Sequence, residues 1–350
     1  MKIAILGDTH FGARNASPQF SKFFEQFYDY FIQYLLDNDI KNVFQLGDLF
    51  DTRKFVNLFA LEEAKRYFFN PLDKAGIKLG TLLGNHDIFH RESLDINSTG
   101  LVLGEYEHVF VYDKPSVVTL DGTDFHMIPW ICKENEADVF HELKKTKADI
   151  CLGHFEISGF SMYRGVQSHG GIDRSIFDRY EQVWSGHYHT RSQNGNITYV
   201  GTPYELTWQD AGDPRGFHVF DTTTRRLDFV ANPFTIHDRF EYDDSQNSDV
   251  ASTVDVSRFK DKFVRIVVVS KRDLYKFDTF MSRVLTSGAH EVKVLEDVSE
   301  FKDGEVAEEV DLEDTMSLVS SYVDSVQTDH NKDEVKNYMK SLYVEALNKE

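Results

Sequence analysis

Cysteine is nearly missing from this 350-residue chain, where Cys132 and Cys151 are the only two. Neither has zinc-finger spacing, and so few thiols fit a reduced cytoplasmic setting better than a disulfide-stapled one. An excess of positive charge is missing too. Asp and Glu total 58 against 38 Lys and Arg, for a formal net charge of −20. That excludes a passive nucleic-acid coat, which needs a basic surface. It does not exclude an enzyme acting on nucleic acid, because bound divalent cations change the local field. No apolar run approaches the roughly 20 residues that span a bilayer. Met1-Lys2 leads directly into a core-like strand, which argues against a signal peptide. Internal repeats and low-complexity tracts are absent.

What is present is a recurring strand ending. Ile3–Leu6 runs into Gly7-Asp8-Thr9-His10. Val43–Leu46 runs into Gly47-Asp48, and Ile77–Leu83 into Gly84-Asn85-His86-Asp87. Asp149–Leu152 runs into Gly153-His154, and Gln182–Ser185 into Gly186-His187-Tyr188-His189. Each is a short apolar run, then glycine, then Asp, Asn or His. Glycine lets the chain turn where a ligand comes close. In open α/β sheets, sites form beyond the carboxyl ends of the strands. One His or Asp after a strand is ordinary; five such endings in one chain are not.

The intervening chain supports an α/β reading. Phe20, Phe23, Phe24, Phe27, Phe31 and Leu35 recur at helical spacing and predict a core-facing helix from about Ser17 to Asn38. A second helix is expected from Leu58 to Phe69, stopping at Asn70-Pro71; its exposed-looking aromatics, Phe59, Tyr67 and Phe68, are expected either in the core or at an oligomer contact. The opening is therefore β-α-β and the sheet begins parallel. From Val109 to Trp130, short alternating strands predict a second sheet. A helix from Ala137 to Lys145 follows. The Gly-, Ser- and Arg-rich segment from Gly159 to Arg174 is expected as an active-site loop. A polar linker is expected at Asp243–Asp249. Beyond it, Phe263–Ser270, Leu274–Leu285 and Val292–Leu295 form a small β-α-β unit. An acidic stretch from Glu296 to Asp314 then leads to two helices. In these, Leu312, Met316, Val319, Val323 and Val326, then Val335, Met339, Leu342 and Ala346, recur at helical spacing.

Asp8, His10, Asp48, Asn85, His154, His187 and His189 are hard or borderline ligands. Together they suit a pair of divalent ions, manganese, iron, zinc or magnesium, with one carboxylate bridging. Imidazole with carboxylate favours manganese or iron over calcium. Such a pair clamps a phosphoryl group and generates a hydroxide nucleophile.

As a set, these five motifs resemble those of the calcineurin-like metallophosphoesterases, over residues 1 to about 235. The resemblance implies a two-sheet sandwich flanked by helices. One ion would take Asp8, His10 and His189, the other Asn85, His154 and His187, with Asp48 as bridge. His86 would be a non-ligand acid at the leaving oxygen. Within that superfamily, Asp8-Thr9-His10-Phe11-Gly12 and Gly47-Asp48-Leu49-Phe50-Asp51 are similar to the SbcD-like DNA repair nucleases. That branch implies a nuclease domain over 1–235, a DNA-capping domain over 236–300, and an acidic linker with a helix pair over 301–350. The helix pair would dock an SbcC-like coiled-coil ATPase. The resemblance also implies exonuclease and endonuclease action on DNA ends, two ions (Mn2+, with Mg2+ or Fe2+ as substitutes), and a homodimer through residues 55–70 and 90–104. The modest length fits a phage-type version working in its host's cytoplasm. One position departs from the pattern: Asp51 stands where some relatives carry a second histidine, and reads equally as a helix cap. DNA contacts would fall to Arg14, Arg53, Lys54, Arg91, Arg164 and Arg174. Two rival readings remain on the same fold. One is a phosphodiesterase for small or cyclic nucleotides; the other is a non-catalytic scaffold, which would have no use for a complete ligand set.

Overall fold

The structure is a computed structural model that describes residues 1–163, 166–167, 171–295, 323, 332, 335 and 336. The chain divides into two units, Met1–Val298 and Ser299–Glu350, and the fold described here is that of the first. Arg164, His169 and the acidic stretch lie outside the described residues. So do the two C-terminal helices, apart from Val323, Lys332, Val335 and Lys336, which are helical.

The first sheet contains β1 (Lys2–Leu6), β2 (Asn42–Gln45), β3 (Lys78–Leu82) and β4 (Val109–Tyr112). The second contains β5 (Ser116–Leu120), β6 (Thr123–Ile128) and β7 (Ile150–His154), and a separate small hairpin is formed by β8 (Ser161–Tyr163) and β9 (Val166–Gln167). The second sheet continues with β10 (Gln182–Gly186), β11 (Ser192–Asn194) and β12 (Ile197–Tyr199), and the first with β13 (Gly216–Asp221) and β14 (Arg226–Ala231). The orders are β14-β13-β1-β2-β3-β4 and β11-β12-β10-β7-β6-β5. β1, β2, β3 and β4 run parallel, as do β6, β7, β10 and β12.

Side-chain alternation explains the layering. In β1, Ile3 and Ile5 face the second sheet and meet Phe125, Ile150, Leu152 and Trp184 between the sheets. Ala4 and Leu6 face the other way, against the aromatic helix Pro18–Asp37. Its stripe from Phe20 to Leu35 is buried, as its spacing requires. Helix Glu136–Lys145 covers the outside of the second sheet through Val139 and Leu143. Two sheets face to face with helices outside is the layered α/β sandwich that the strand-end reading anticipates.

Several expectations need correction. The second helix does not stop at Pro71. Leu58–Ala64 passes into a π-turn, Lys65–Phe69, and then into Asn70–Lys74. The wider turn lets Asn70 N–H reach the Lys65 carbonyl, five residues back, so the proline can be carried. Of the trio left between core and contact, Tyr67 and Phe68 prove to be buried in the aromatic core and Phe59 is exposed. Val109–Tyr112 belongs to the first sheet, paired with β3, and the second sheet starts at Ser116. The expected linker falls inside a small domain. β15 (His237–Asp243) pairs in parallel with β16 (Phe263–Ser270), and β17 (Glu291–Leu295) pairs on its other side. β15 escapes notice because its alternate residues are charged, as on an edge strand. The β-α-β unit with Leu274–Leu285 is present, with this extra strand.

Candidate metal centre

The parallel strands deliver all five motifs to one edge of the sandwich. Motif follows motif because the backbones are laced together. Thr9 and His10 N–H donate to the Asp48 carbonyl at 3.1 and 3.0 Å, and Phe11 N–H donates to the Leu49 carbonyl at 2.9 Å. Asp87, fully buried, accepts from Asp48 and Gly84 N–H at 2.8 Å and from Leu49 N–H at 3.0 Å. It therefore ties the third motif to the second. His10, Asp48 and His187 adopt φ of 42°, 53° and 85°. Non-glycine residues in this region carry strain of about 1–3 kcal/mol each, and the strain clusters at working sites. Gly84 is needed for another reason: a Cβ there would lie 2.1 Å from Asp48 Oδ1.

Two groups of potential ligand atoms result: Asp8, His10 and His189, and Asp48, His154 and His187. Asn85 belongs beside the second group, with Oδ1 3.0 Å from His154 Nε2 and 3.1 Å from His187 Nδ1. Asp48 Oδ2 lies between the groups, 3.3 Å from His154 Nε2 and 3.9 Å from His10 Nε2. His10 Nε2 and His189 Nε2 face each other at 3.1 Å.

The hydrogen bonds decide which ring atoms point inward. A carbonyl can only accept, so His154 Nδ1–H donates to the Leu46 carbonyl at 2.7 Å. That leaves a lone pair on Nε2 of the neutral ring, aimed at the Asn85 amide oxygen and the Asp48 carboxylate. In that state acceptor faces acceptor, so either a bound cation or a second ring proton must lie between them. Burial resists charge on His154, but Asp48 and Asp8 outweigh it and lift the ring to about 9. Burial also opposes the Asp48 charge, and His154, His86 and His10 overcome it, holding the carboxylate well below its ordinary range. Burial pushes His187 down to about 3 and His189 well below its usual range, so both rings stay neutral, as ligation demands. The donor set fits a pair of divalent cations: oxygen and imidazole, converging and buried.

His86 stands outside both groups. Its backbone N–H donates to Asp48 Oδ1 at 2.8 Å, and its ring Nδ1–H donates to the Asp51 carbonyl at 2.6 Å. The titrating nitrogen is therefore Nε2. Asp51 is not a helix cap. The helix begins at Leu58 and is capped by Asn57, whose Oδ1 accepts from Phe59 and Ala60 N–H. Instead, Asp51 Oδ1 lies 3.4 Å from His10 Nδ1, a carboxylate close behind a histidine but outside hydrogen-bond geometry.

The basic residues divide by position. Arg53 Nε donates to the Asn85 carbonyl at 3.1 Å, which brings it to the rim. Arg14 follows the first motif in a left-handed turn, with φ of 59°, its guanidinium 5.8 Å from the Phe20 ring centre. Lys54 and Arg91 are exposed on the loops after the second and third motifs. Arg174 is elsewhere: its guanidinium packs near Gly195, in the turn level with the start of β10, at the opposite end of that strand from His187. Trp130 was missed. Its ring centre lies 5.3 Å from that of His187 and 5.8 Å from that of His154. It follows β6, the neighbour of β7, and that strand end was the available signal.

Residues 1–191 match the family model for calcineurin-like phosphoesterases. The chain is 35% identical over 349 residues, 99% of each chain, to exonuclease subunit 1 of Enterobacteria phage T4. Among solved structures, a novel archaeal phosphodiesterase overlaps 66% of this chain and all of its own, at 14% identity and a TM-score of 0.35. A glutamine-dependent NAD+ synthetase from Acinetobacter baumannii overlaps 99% of this chain and 72% of its own, at 11% identity and a TM-score of 0.28. Neither of these two structural likenesses is strong enough to bear on fold or activity.

Proposed function

Because the chain belongs to the calcineurin-like phosphoesterase family, we propose that its seven ligand side chains hold two divalent cations at a hydrolytic centre. The protein is a metal-dependent nuclease that hydrolyses phosphodiester bonds in DNA. The observation that carries the mechanism is Asp48 Oδ2, set between His10 Nε2 and His154 Nε2 at the meeting of two ligand groups. Asp8, His10 and His189 take one ion, Asn85, His154 and His187 the other, and Asp48 bridges. Divalent cations so placed neutralise phosphoryl charge and acidify water. Manganese is the preferred ion, with magnesium or iron as substitutes.

The chain's own residues supply the rest. Asp51 fixes the tautomer of His86 through its carbonyl, and its carboxylate lies close behind His10. His86 Nε2 is placed to hand a proton to the leaving oxygen. Arg14, Arg53, Lys54 and Arg91 lie on the loops around the motif edge and are the proposed backbone contacts for DNA. The test is direct. Purified protein with manganese should cut linear double-stranded DNA, stop on addition of a chelator and resume with fresh manganese. Hydrolysis of a small phosphodiester without any cutting of DNA would contradict the nuclease reading.

The phage relative is named as a subunit, which supports a role for this chain within a recombination or repair complex. The proposed partners are a second copy of the chain and a coiled-coil ATPase. For the copy, the support is apolar exposure in the two expected segments: Leu58 is 81% exposed and Leu101 76%, with Phe55 and Ile96 also open. Leu101→Glu is expected to halve the mass seen by light scattering; an unchanged mass would move the dimer contact elsewhere. For the ATPase, the support is the apolar spacing of the C-terminal segments. Truncation after Asp311 is expected to abolish co-purification with the ATPase and leave metal loading intact. Loss of metal from that truncated protein would contradict a purely docking role.

A further inference from the structure

We propose that Arg215 is a positioning residue for the first ligand group, holding the His189 backbone from behind so that its imidazole meets Asp8 and His10. This rests on the reading of His189 as a metal ligand.

The turn that carries His187 and His189 is strained, since His187 has φ of 85°. Something must hold it, because strain persists only where the surroundings over-determine it. The Asp8 carboxylate holds its His187 end, accepting from His187 N–H at 3.1 and 3.0 Å; its His189 end is held by one segment, Gly201–Arg215, that the metal motifs do not include. Thr202 N–H donates to the His189 carbonyl at 3.0 Å, and Arg215 Nη1 donates to the same oxygen. Gly201, at φ +72°, packs so closely that a Cβ would lie 2.8 Å from that carbonyl.

Arg215 is itself fixed. It is 5% exposed. Nη1 also reaches Thr202 Oγ1 at 2.7 Å, and Nη2 donates to Asp210 Oδ1 at 2.6 Å and pairs with Asp213 Oδ2 at 3.1 Å. The other Asp210 oxygen accepts from Leu206 and Thr207 N–H at 2.8 and 2.9 Å. The guanidinium fork therefore spans from the segment's own anchor to the ligand turn. Lysine brings the same charge on a single nitrogen and cannot bridge both.

The same segment grips two further elements. Tyr204 hydroxyl donates to the Thr9 carbonyl, between Asp8 and His10. Glu205 Oε2 accepts from Ile236 and His237 N–H, both at 2.9 Å, where β15 of the small domain begins. Backbones on both sides of the first ligand group, and the root of the small domain, thus hang on one strap. The second ligand group has no contact with Arg215 among the described hydrogen bonds.

Manganese titration calorimetry on the full-length apoprotein tests the assignment, with melting temperature measured without metal. Wild type should take up two ions. Arg215→Lys should weaken one of them by about 10–100-fold, the range for partners that orient a ligand, and leave the other within about twofold. His189→Ala should lose that same ion, and the double variant should be no worse than His189→Ala alone. Asp210→Asn, which loosens the guanidinium without removing it, should weaken the same ion less. Wild-type affinity for both ions in Arg215→Lys overturns the proposal. So does equal weakening of both ions with a lowered melting temperature, which would mark a merely structural ion pair. Fewer than two ions in wild type would instead contradict the ligand assignment on which the proposal stands.

Discussion

Asp48→Ala is expected to lose manganese and nuclease activity together, the largest effect of any single substitution in the chain. The carboxylate oxygen at 3.3 Å from one imidazole nitrogen and 3.9 Å from another is placed to serve both groups. Two cations held about 3.5–4 Å apart repel, and a shared anion is what makes their proximity tolerable. Removing it also strips the hydrogen bond from His86 N–H at Asp48 Oδ1. The loss should therefore exceed that from either ligand group alone. Calorimetry beside a DNA cutting assay reads both effects, and two manganese ions bound with wild-type stoichiometry would sink the bridge.

His86→Ser is expected to separate what Asp48→Ala removes together. His86 contributes no atom to either ligand group, and its ring is held by the Asp51 carbonyl at 2.6 Å. Positioned proton donors contribute roughly 10²–10⁴-fold to rate. The serine variant should cut DNA slower within about that range while still binding two ions. Cutting at the wild-type rate would remove His86 from the mechanism; loss of an ion would make it a ligand.

The site was more legible than the scaffold that holds it, for a physical reason. The side chains that converge there sit at strand ends and are of residue types able to bind cations, so Asp8, His10, Asp48, Asn85, His154, His187 and His189 could be picked out from the chain itself. The aromatic helix was legible because burying one face requires helical spacing. The strand His237–Asp243 was not, because an edge strand with charged alternate residues imitates a polar linker. Helix continuation through Pro71 was hidden because a π-turn leaves no trace in residue type. Arg174 shows the limit for surface charge: composition cannot say which end of a sheet an arginine occupies. Asp51 and Arg215 were unreadable as supports because each acts across a fold-made contact, on His86 and on the His189 carbonyl.

The central claim is two cations sharing Asp48, and anomalous diffraction from manganese-soaked crystals measures it most directly. The predicted result is two peaks about 3.5–4 Å apart, one among Asp8, His10 and His189, the other among Asn85, His154 and His187, with the Asp48 carboxylate between them. A single peak, or a pair that leaves Asp48 uncoordinated, would contradict it.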